Sequence, residues 1–202
     1  MTASIAIPYF SGYGHTARIA DAVGEGATSI PDTTAHLVDV AGLDDAAWAT
    51  LDEADAIVFG SPTYMGTAAT AFHAFAEATS QRWMERAWQD KLASGFTNSG
   101  SMSGDKLGTL QYFATLAAQH GMIWVSLNLM PGWNTTTGSE LDDNRLGFYL
   151  GAGAQTPVDA GADAVHAADL STARHLGRRV AEQAHVYALG RERSAGVRLT
   201  GR

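Results

Sequence analysis

The sequence predicts an α/β domain built around a parallel β-sheet. Two observations lead to this fold class: five short apolar runs recur along the 202 residues, and a pattern typical of a helix separates each run from the next. Right-handed crossovers would then place helices on both faces of the sheet. No segment repeats at a fixed period, so a repeat architecture is not indicated.

The five apolar runs are the predicted strands. They cover residues 4–10, 35–40, 54–60, 92–97 and 122–127. Short, mainly apolar runs suit the strands of a parallel sheet, because such a sheet is buried on both faces. Pro8 lies in the middle of the first run, and proline has no N–H to donate to a neighbouring strand. We therefore predict one missing sheet hydrogen bond at Pro8.

Helical patterns fill the intervals between the strands. They cover residues 15–28, 44–51, 67–79, 105–120 and 164–189. In the first of them, Ile19, Val23 and Ala27 fall on one face of a helix, as expected of a helix packed on a sheet. The alternation of strand and helix therefore accounts for most of the chain.

Residues 1–189 are predicted to form a single domain with one irregular insertion at about 128–163. The insertion is rich in Gly, Thr, Asn and Ala, and a loop of that length is usually functional or an assembly element. Residues 190–202 carry four arginines against one glutamate. We predict that they form a flexible, solvated basic tail.

Composition excludes several classes of function. The chain has no cysteine, which excludes disulfides, zinc fingers, iron–sulfur clusters and a cysteine nucleophile. Its formal net charge of −8 argues against nucleic-acid binding, and its histidines lack the paired spacing of a metal site. No apolar run is long enough for a membrane span and no signal peptide is recognisable, so we expect a cytoplasmic protein.

The loop after the first strand has the features of a phosphate-binding loop. Two glycines permit a tight turn, the hydroxyls can donate hydrogen bonds, and the helix that follows offers free N–H groups. The residues of this loop are Ser11, Gly12, Tyr13, Gly14, His15 and Thr16. No lysine is present, so the loop is not a Walker A motif and ATP hydrolysis is not expected.

Two further loops follow strands three and four and would lie at the same edge of the sheet. The first could support a planar ring, and the second could hydrogen-bond the edge of a heterocycle. They contain Pro62, Thr63, Tyr64, Met65 and Gly66, and Asn98, Ser99, Gly100, Ser101, Met102 and Ser103. Since ligands of open parallel sheets bind beyond the carboxyl ends of the strands, the three loops together predict one ligand site.

A second interpretation of the first loop stays open. Gly12, Gly14 and Ala17 also fit the dinucleotide fingerprint G-x-G-x-x-A, and Asp39 ends the second strand where a ribose-binding acid is expected. A Rossmann-type enzyme that uses NAD would fit these residues. It would leave the loop containing Pro62 and Tyr64 without a clear role.

In sequence order, the motifs SGYGHT, GSPTYMG and FTNSGSMSGD resemble those of the flavodoxin-like FMN proteins. More narrowly, the chain resembles the WrbA-type NAD(P)H:quinone oxidoreductases, with further matches at KLAS (91–94) and at His120-Gly121-Met122. The resemblance covers about residues 4–187. It implies a doubly wound, five-stranded parallel sheet of order 2-1-3-4-5, with FMN as cofactor.

The resemblance also implies roles for individual residues. The first loop would hold the FMN phosphate, Thr63, Tyr64 and Met65 would lie along the ribityl chain and isoalloxazine, and residues 98–103 would bond the pyrimidine side. The family places a flavin contact at the position of His120 and an aromatic-substrate contact at that of Trp83. Tyr13 matches a position associated with the nicotinamide cofactor.

From this resemblance we expect an enzyme that transfers electrons from NAD(P)H through FMN to quinone-like acceptors. The alternative is a flavodoxin-like single-electron carrier that binds FMN without nicotinamide turnover of its own. The flavin would carry the chemistry, so no catalytic residue is assigned. Among the tryptophans, Trp133 in the insertion is the expected ring neighbour of the flavin.

His120 presents a geometric conflict. It ends a helix that returns to the amino edge of the sheet, away from the three loops. A neighbouring subunit would resolve the conflict, and such an arrangement would suit the long insertion. We therefore expect a homodimer or a homotetramer.

Overall fold

A parallel sheet with helices on both faces forms the centre of the molecule. The computed structural model describes residues 2–196. The strands are Ala3–Tyr9 (β1), Thr33–Asp39 (β2), Ala56–Tyr64 (β3), Thr67–Ala68 (β4), Leu92–Ser99 (β5), Ile123–Trp124 (β6) and Ala152–Gln155 (β7). The helices are His15–Thr28 (α1), Asp45–Glu53 (α2), Thr70–Ala78 (α3), Ser80–Met84 (α4), Lys106–Gln119 (α5) and Ala167–Gly196 (α6).

The order of the main strands is β2-β1-β3-β5-β6, all parallel, which confirms the predicted doubly wound topology. One apolar core packs α1 and α6 against the sheet, with Val23 and Leu176 among its buried residues. A second core on the other face contains Leu51, Phe72 and Phe113 from α2, α3 and α5. No helix of residues 2–196 is both long enough and apolar enough to cross a membrane.

The fifth position of the sheet is shared by two separate segments. β6 pairs only with Leu92 and Ala93 of β5, whereas β7 pairs with residues 96–99 further along the same strand. The strand predicted for residues 122–127 is therefore only two residues long. β7, which lies within the predicted irregular insertion at 128–163, completes the sheet. β7 consists of Ala152, Gly153, Ala154 and Gln155, which carry no strand signal of their own, so only pairing with β5 defines it.

Two predictions for the ends of the chain can be compared with the structure. The ladder between β1 and β3 pairs Ala6 with Ile57 and resumes at Tyr9, so Ile7 and Pro8 have no register partner on β3, although Pro8 pairs with Val38 of β2. This gap agrees with the sheet hydrogen bond predicted to be missing at Pro8. At the other end, α6 continues to Gly196 and so includes the first residues of the segment for which a flexible tail was predicted. Residues 197–202 of that tail lie outside the described residues.

Helices α1 and α6 touch through their backbones at two glycines. A Cβ atom at Gly26 would overlap the carbonyl oxygen of Arg174, and one at Gly177 would overlap that of Val23. Only glycine permits so close an approach of two helices. This contact fixes α1, whose N-terminus faces the candidate site.

Candidate functional site

The first loop connects β1 to α1 at the carboxyl edge of the sheet. Gly14 precedes the helix with φ +86°, a left-handed conformation that favours glycine. A Cβ at Gly12 would lie 2.7 Å from the hydroxyl oxygen of Tyr64, so any larger residue there would displace the tyrosine side chain. Ser11 Oγ is buried and has no hydrogen-bond partner in the protein. This hydroxyl and the free N–H groups at the N-terminus of α1 are therefore available to donate hydrogen bonds to a ligand oxygen.

The second loop is a tight hairpin, which the sequence analysis missed. β3 was predicted to end at residue 60 but continues through Pro62 to Tyr64, and the chain then turns back into β4. The two turn residues, Met65 and Gly66, have φ +50° and +86°, as a type I′ turn requires. The pair Met-Gly is not among the usual sequences of a type I′ turn, so Gly66 was the one residue that indicated a turn here. Met65 is fully exposed at the tip.

Side chains behind the hairpin hold it rigid. Thr63 Oγ1 lies 2.8 Å from Thr97 Oγ1 and 2.7 Å from Thr109 Oγ1, all buried. The backbone N–H of Ala69 donates to Ser61 Oγ at 2.9 Å. The Thr63 hydroxyl is therefore used within the protein, although Thr63 does line the cavity described below.

The third loop, between β5 and α5, is held from within the protein by a lysine. Lys106 is fully buried, and its Nζ donates to the carbonyl oxygens of Ser101 (2.6 Å) and Met102 (3.2 Å). Burial lowers the pKa of its ammonium group to about 8. Gly104 and Asp105 both have positive φ, which lets the loop turn into α5. Sequence reasoning missed Lys106 because nothing in a lone lysine predicts its burial.

The end of the insertion forms one wall of the site. Thr156 Oγ1 donates to Asn98 Oδ1 at 3.0 Å, and Gln155 Nε2 donates to the carbonyl oxygen of Gly100 at 2.9 Å. Asp169 accepts the backbone N–H of Gln155 at 2.9 Å and two hydrogen bonds from Arg145, both 2.8 Å. The insertion is therefore tied to the third loop, a role that no local pattern in residues 128–163 indicates.

Two adjoining cavities lie between these loops. The first, of about 360 Å³, is bounded by the first loop, the hairpin and residues 98–100, and the second, of about 600 Å³, by the hairpin tip and the third loop. They share four lining residues: Thr63, Ser99, Gly100 and Val158. The three predicted loops thus meet around one continuous groove.

The groove provides neutral hydrogen-bond donors. His15 is the one lining residue of the first cavity with a basic side chain, and its Nε2 is already 2.8 Å from the carbonyl oxygen of Ala160. Tyr64 and Tyr13 both line the first cavity, and burial, together with the nearby Tyr13, raises the pKa of the Tyr64 hydroxyl. A phosphate bound here would be held by hydroxyls, backbone N–H groups and the dipole of α1.

His120 and Trp83 meet in a different cavity, of about 550 Å³, formed by α3, α4 and α5. His120 Nε2 lies 2.9 Å from Thr79 Oγ1, its ring packs on Trp88, and its buried Nδ1 has no partner. Burial lowers the pKa of its imidazole. α5 has 14 residues, so His120 stands about 20 Å from the third loop, as its position in the sequence implied.

Two other candidates lie apart from the groove. Asp39 caps the short turn after β2, where its Oδ1 accepts the N–H of Ala41 at 2.9 Å, and it lines neither cavity. Trp133 also lines neither cavity. Within one chain, therefore, the ribose role for Asp39 and the ring contact for Trp133 have no geometric support.

A parallel sheet of this order, with a lysine-free glycine loop after its first strand and a groove at its carboxyl edge, defines the flavodoxin-like class. A profile of the flavodoxin domain matches residues 6–96. Flavodoxin FldP of Pseudomonas aeruginosa (strain UCBPP-PA14) is 49% identical over 178 residues, which cover 87% of this chain and 93% of that protein. The chain therefore belongs to the flavodoxin family.

Two further relatives show the range of that family. An NAD(P)H dehydrogenase (quinone) of Syntrophobacter fumaroxidans (strain DSM 10017 / MPOB) is 31% identical, over 88% of this chain and 95% of that protein. The crystal structure of a flavodoxin, WrbA-like protein from Agrobacterium tumefaciens superposes with a TM-score of 0.73 and 42% identity. That match covers 92% of this chain and 99% of the other. Membership of the family implies FMN as the cofactor.

The residues in the groove fit FMN. The buried, unpartnered Ser11 hydroxyl and the N-terminus of α1 suit a phosphate, and the space between hairpin and third loop suits a planar ring. The roles of the individual residues remain predictions.

Proposed function

We propose that this protein binds FMN in the groove and uses it to carry electrons. The observation that carries the proposal is the unpartnered hydroxyl of Ser11 beside the start of α1, in a groove lined by the three loops. Bound FMN would supply the redox chemistry. The chain's own residues would bind it, orient it and shield one side of it from water.

The phosphate would lie beside the start of α1. Ser11 and Thr16 would donate hydroxyl hydrogen bonds, and the first N–H groups of α1 would donate along the helix axis. The flavin ring would lie between Tyr64 and Met65 on one side and the third loop on the other. Asn98, whose side chain Thr156 fixes, lines the groove between these two regions.

The exposed rim of the groove favours the role of a carrier. Tyr13, Met65 and Val158 are largely exposed around its opening, and Met102 is about half exposed on the third loop. Apolar side chains at a site opening suit transient contact with a partner protein. A single chain therefore contains both the flavin site and a contact surface, as an electron carrier needs.

The pair His120 and Trp83 supports a second function, transfer of electrons from NAD(P)H to quinone-like acceptors. Their cavity is remote from the groove of the same chain, so this function would need a homodimer or homotetramer in which one subunit's cavity faces another's flavin. Tyr13, exposed at the rim, would contact the nicotinamide. Relatives named NAD(P)H dehydrogenase (quinone) add to this case.

An FMN titration of the apo-protein tests the binding site. We expect saturable quenching of flavin fluorescence, and we expect Ser11→Ala to weaken binding by about fivefold or more, because one hydrogen bond to a charged phosphate is lost. Ser29→Ala, at the far end of α1, is the matched control and should bind as the unmodified protein does. Absence of quenching by the unmodified protein would refute the proposal.

Anaerobic addition of NADPH or NADH to the FMN-loaded protein separates the two functions. Direct loss of the visible flavin absorbance would establish the oxidoreductase. If the absorbance falls only when a nicotinamide-dependent flavoprotein reductase is added, the protein is a carrier. Trp83→Ala should slow the direct reaction with a quinone only if that reaction occurs in an oligomer, which sedimentation analysis would detect.

A further inference from the structure

Lys106 occupies an electrostatically costly position. Its ammonium group is fully buried and, within residues 2–196, no carboxylate lies within ion-pair distance of it. It is also the first residue of α5, where the positive end of the helix dipole disfavours a cation. A buried charge without a counter-ion destabilises a fold, so Lys106 provides something other than stability.

The hydrogen bonds of Lys106 determine which way the third loop points. Nζ donates to the carbonyl oxygens of Ser101 and Met102. In a planar trans peptide the C=O and the N–H point in opposite directions. The N–H groups that share these two peptides belong to Met102 and Ser103, and they must therefore point away from the lysine.

Those N–H groups are available to a ligand. Among the described residues, no backbone N–H from 101 to 105 donates to a protein acceptor. Ser101, Met102 and Ser103 are all exposed, and the loop borders the second cavity through Gly100, Ser101 and Gly104. Free, outward N–H groups beside a cavity form a site for an electron-rich edge of a ring.

We propose that Lys106 is a positioning residue: it presents the N–H groups of Met102 and Ser103 to a bound ring, and its buried charge behind them favours negative charge on that ring. This inference rests on the proposed binding of FMN. The peptide units carry the lysine's hydrogen bonds on one side and their N–H groups on the other, so the buried charge acts on a bound ring through them at short range.

Lys106 remains protonated at neutral pH even though burial lowers its pKa to about 8. Its pKa of about 8 reflects burial, partly offset by Asp169 on α6, while Arg145 in the insertion lowers it further. Arg145 and Asp169 are bonded to each other, so neither is free to form an ion pair with Lys106. The lysine therefore stays a cation whose hydrogen bonds go to the loop.

Two variants separate the hydrogen bonds from the charge. Lys106→Met removes the hydrogen bonds and the charge but keeps an apolar side chain of similar length. Lys106→Gln removes the charge but keeps N–H groups that can donate hydrogen bonds. Lys91→Met is the matched control, because Lys91 Nζ also donates to two carbonyl oxygens, of Asp52 and Ala54, but at the amino edge of the sheet. All three are compared with the unmodified protein.

The first measurement is the backbone mobility of residues 100–105 in the FMN-free protein, from NMR relaxation of their amides. We expect these residues to be more mobile in Lys106→Met than in the unmodified protein, and Lys106→Gln to restore part of their order. The second is FMN affinity, which should fall about tenfold or more in Lys106→Met. The third is the midpoint potential of the bound flavin, which should be more negative in both variants, since both lack the charge.

Equal loop mobility, affinity and potential in Lys106→Met and Lys91→Met would overturn the inference. A loss of affinity without a change of potential in Lys106→Gln would overturn the electrostatic part of it. Failure of the unmodified protein to bind FMN is a different result: it refutes the proposed function, and the loop mobility of the FMN-free protein still decides whether Lys106 orders the loop.

Discussion

Replacing Lys106 with methionine should change how stability depends on pH. The ammonium has a pKa of 10.5 in an unfolded chain and about 8 in the folded protein. At 1.36 kcal/mol per pKa unit, this difference corresponds to about 3 kcal/mol of folding free energy. The side chain is inaccessible to solvent, so water screens its charge only weakly and this value is an upper bound.

The free energy of unfolding rises with pH because the folded protein releases the lysine proton at a lower pH than the unfolded chain does. Below pH 8 the lysine is charged in both states, and the whole cost of burying its charge is present. Between pH 8 and 10.5 the unfolded chain still binds the proton that the folded protein has released, so the free energy of unfolding rises with pH. Lys106→Met has no such group and lacks this rise.

Urea denaturation at several pH values from about 7 to about 10 measures the effect. The free energy of unfolding of the unmodified protein minus that of Lys106→Met should increase across this range by about 2–3 kcal/mol. Tyr9, Tyr64 and Tyr112 have raised pKa values and lower stability at the alkaline end, but they do so in both proteins. A difference that stays constant with pH would refute the reasoning.

Three further substitutions test other parts of the structure. Gly177→Ala should destabilise the protein by about 2 kcal/mol or more in urea denaturation, because the new Cβ atom would overlap α1. Gly190→Ala in the same helix is the control: its Cβ atom would meet no atom within 4 Å, so it should not destabilise the protein. Arg145→Met should cost about 3–5 kcal/mol by leaving Asp169 buried and unpaired, and adding Asp169→Leu should recover much of that loss. Gly66→Ala, at φ +86°, should strain the hairpin by about 1 kcal/mol and weaken FMN binding in the titration; unchanged affinity would contradict a role for the hairpin.

The sequence was sufficient for a parallel α/β sheet and for the three loops at one edge, whereas the strand order was predicted from the resemblance to the flavodoxin-like FMN proteins. The loops follow from local signals: apolar strands define where each loop begins, and Gly12 and Gly14 mark the predicted phosphate loop. The remoteness of His120 was also predictable, because a helix of known length leads away from the loop before it. Parallel topology then brings the three loops together without further information.

The remaining features depend on contacts between distant segments. β7 exists only because Ala152–Gln155 pairs with β5, and the hairpin extends a strand through Pro62 against the usual preference. Lys106 was missed for the same reason, since its burial is set by the loop folded over it. Such features arise where tertiary contacts override local propensity.

The division of the fifth strand position separates the insertion into two parts with different freedom to vary. Asn144 Nδ2 donates to the carbonyl oxygen of Leu129 at 2.8 Å, which closes residues 130–143 into a lobe tied at its base. The stretch from Arg145 to Val158, by contrast, contains β7 and the hydrogen bonds from Gln155 and Thr156 to the loop after β5. Chains of this architecture can therefore gain or lose residues in the lobe, or be opened there as circular permutants, while this wall of the groove keeps its register.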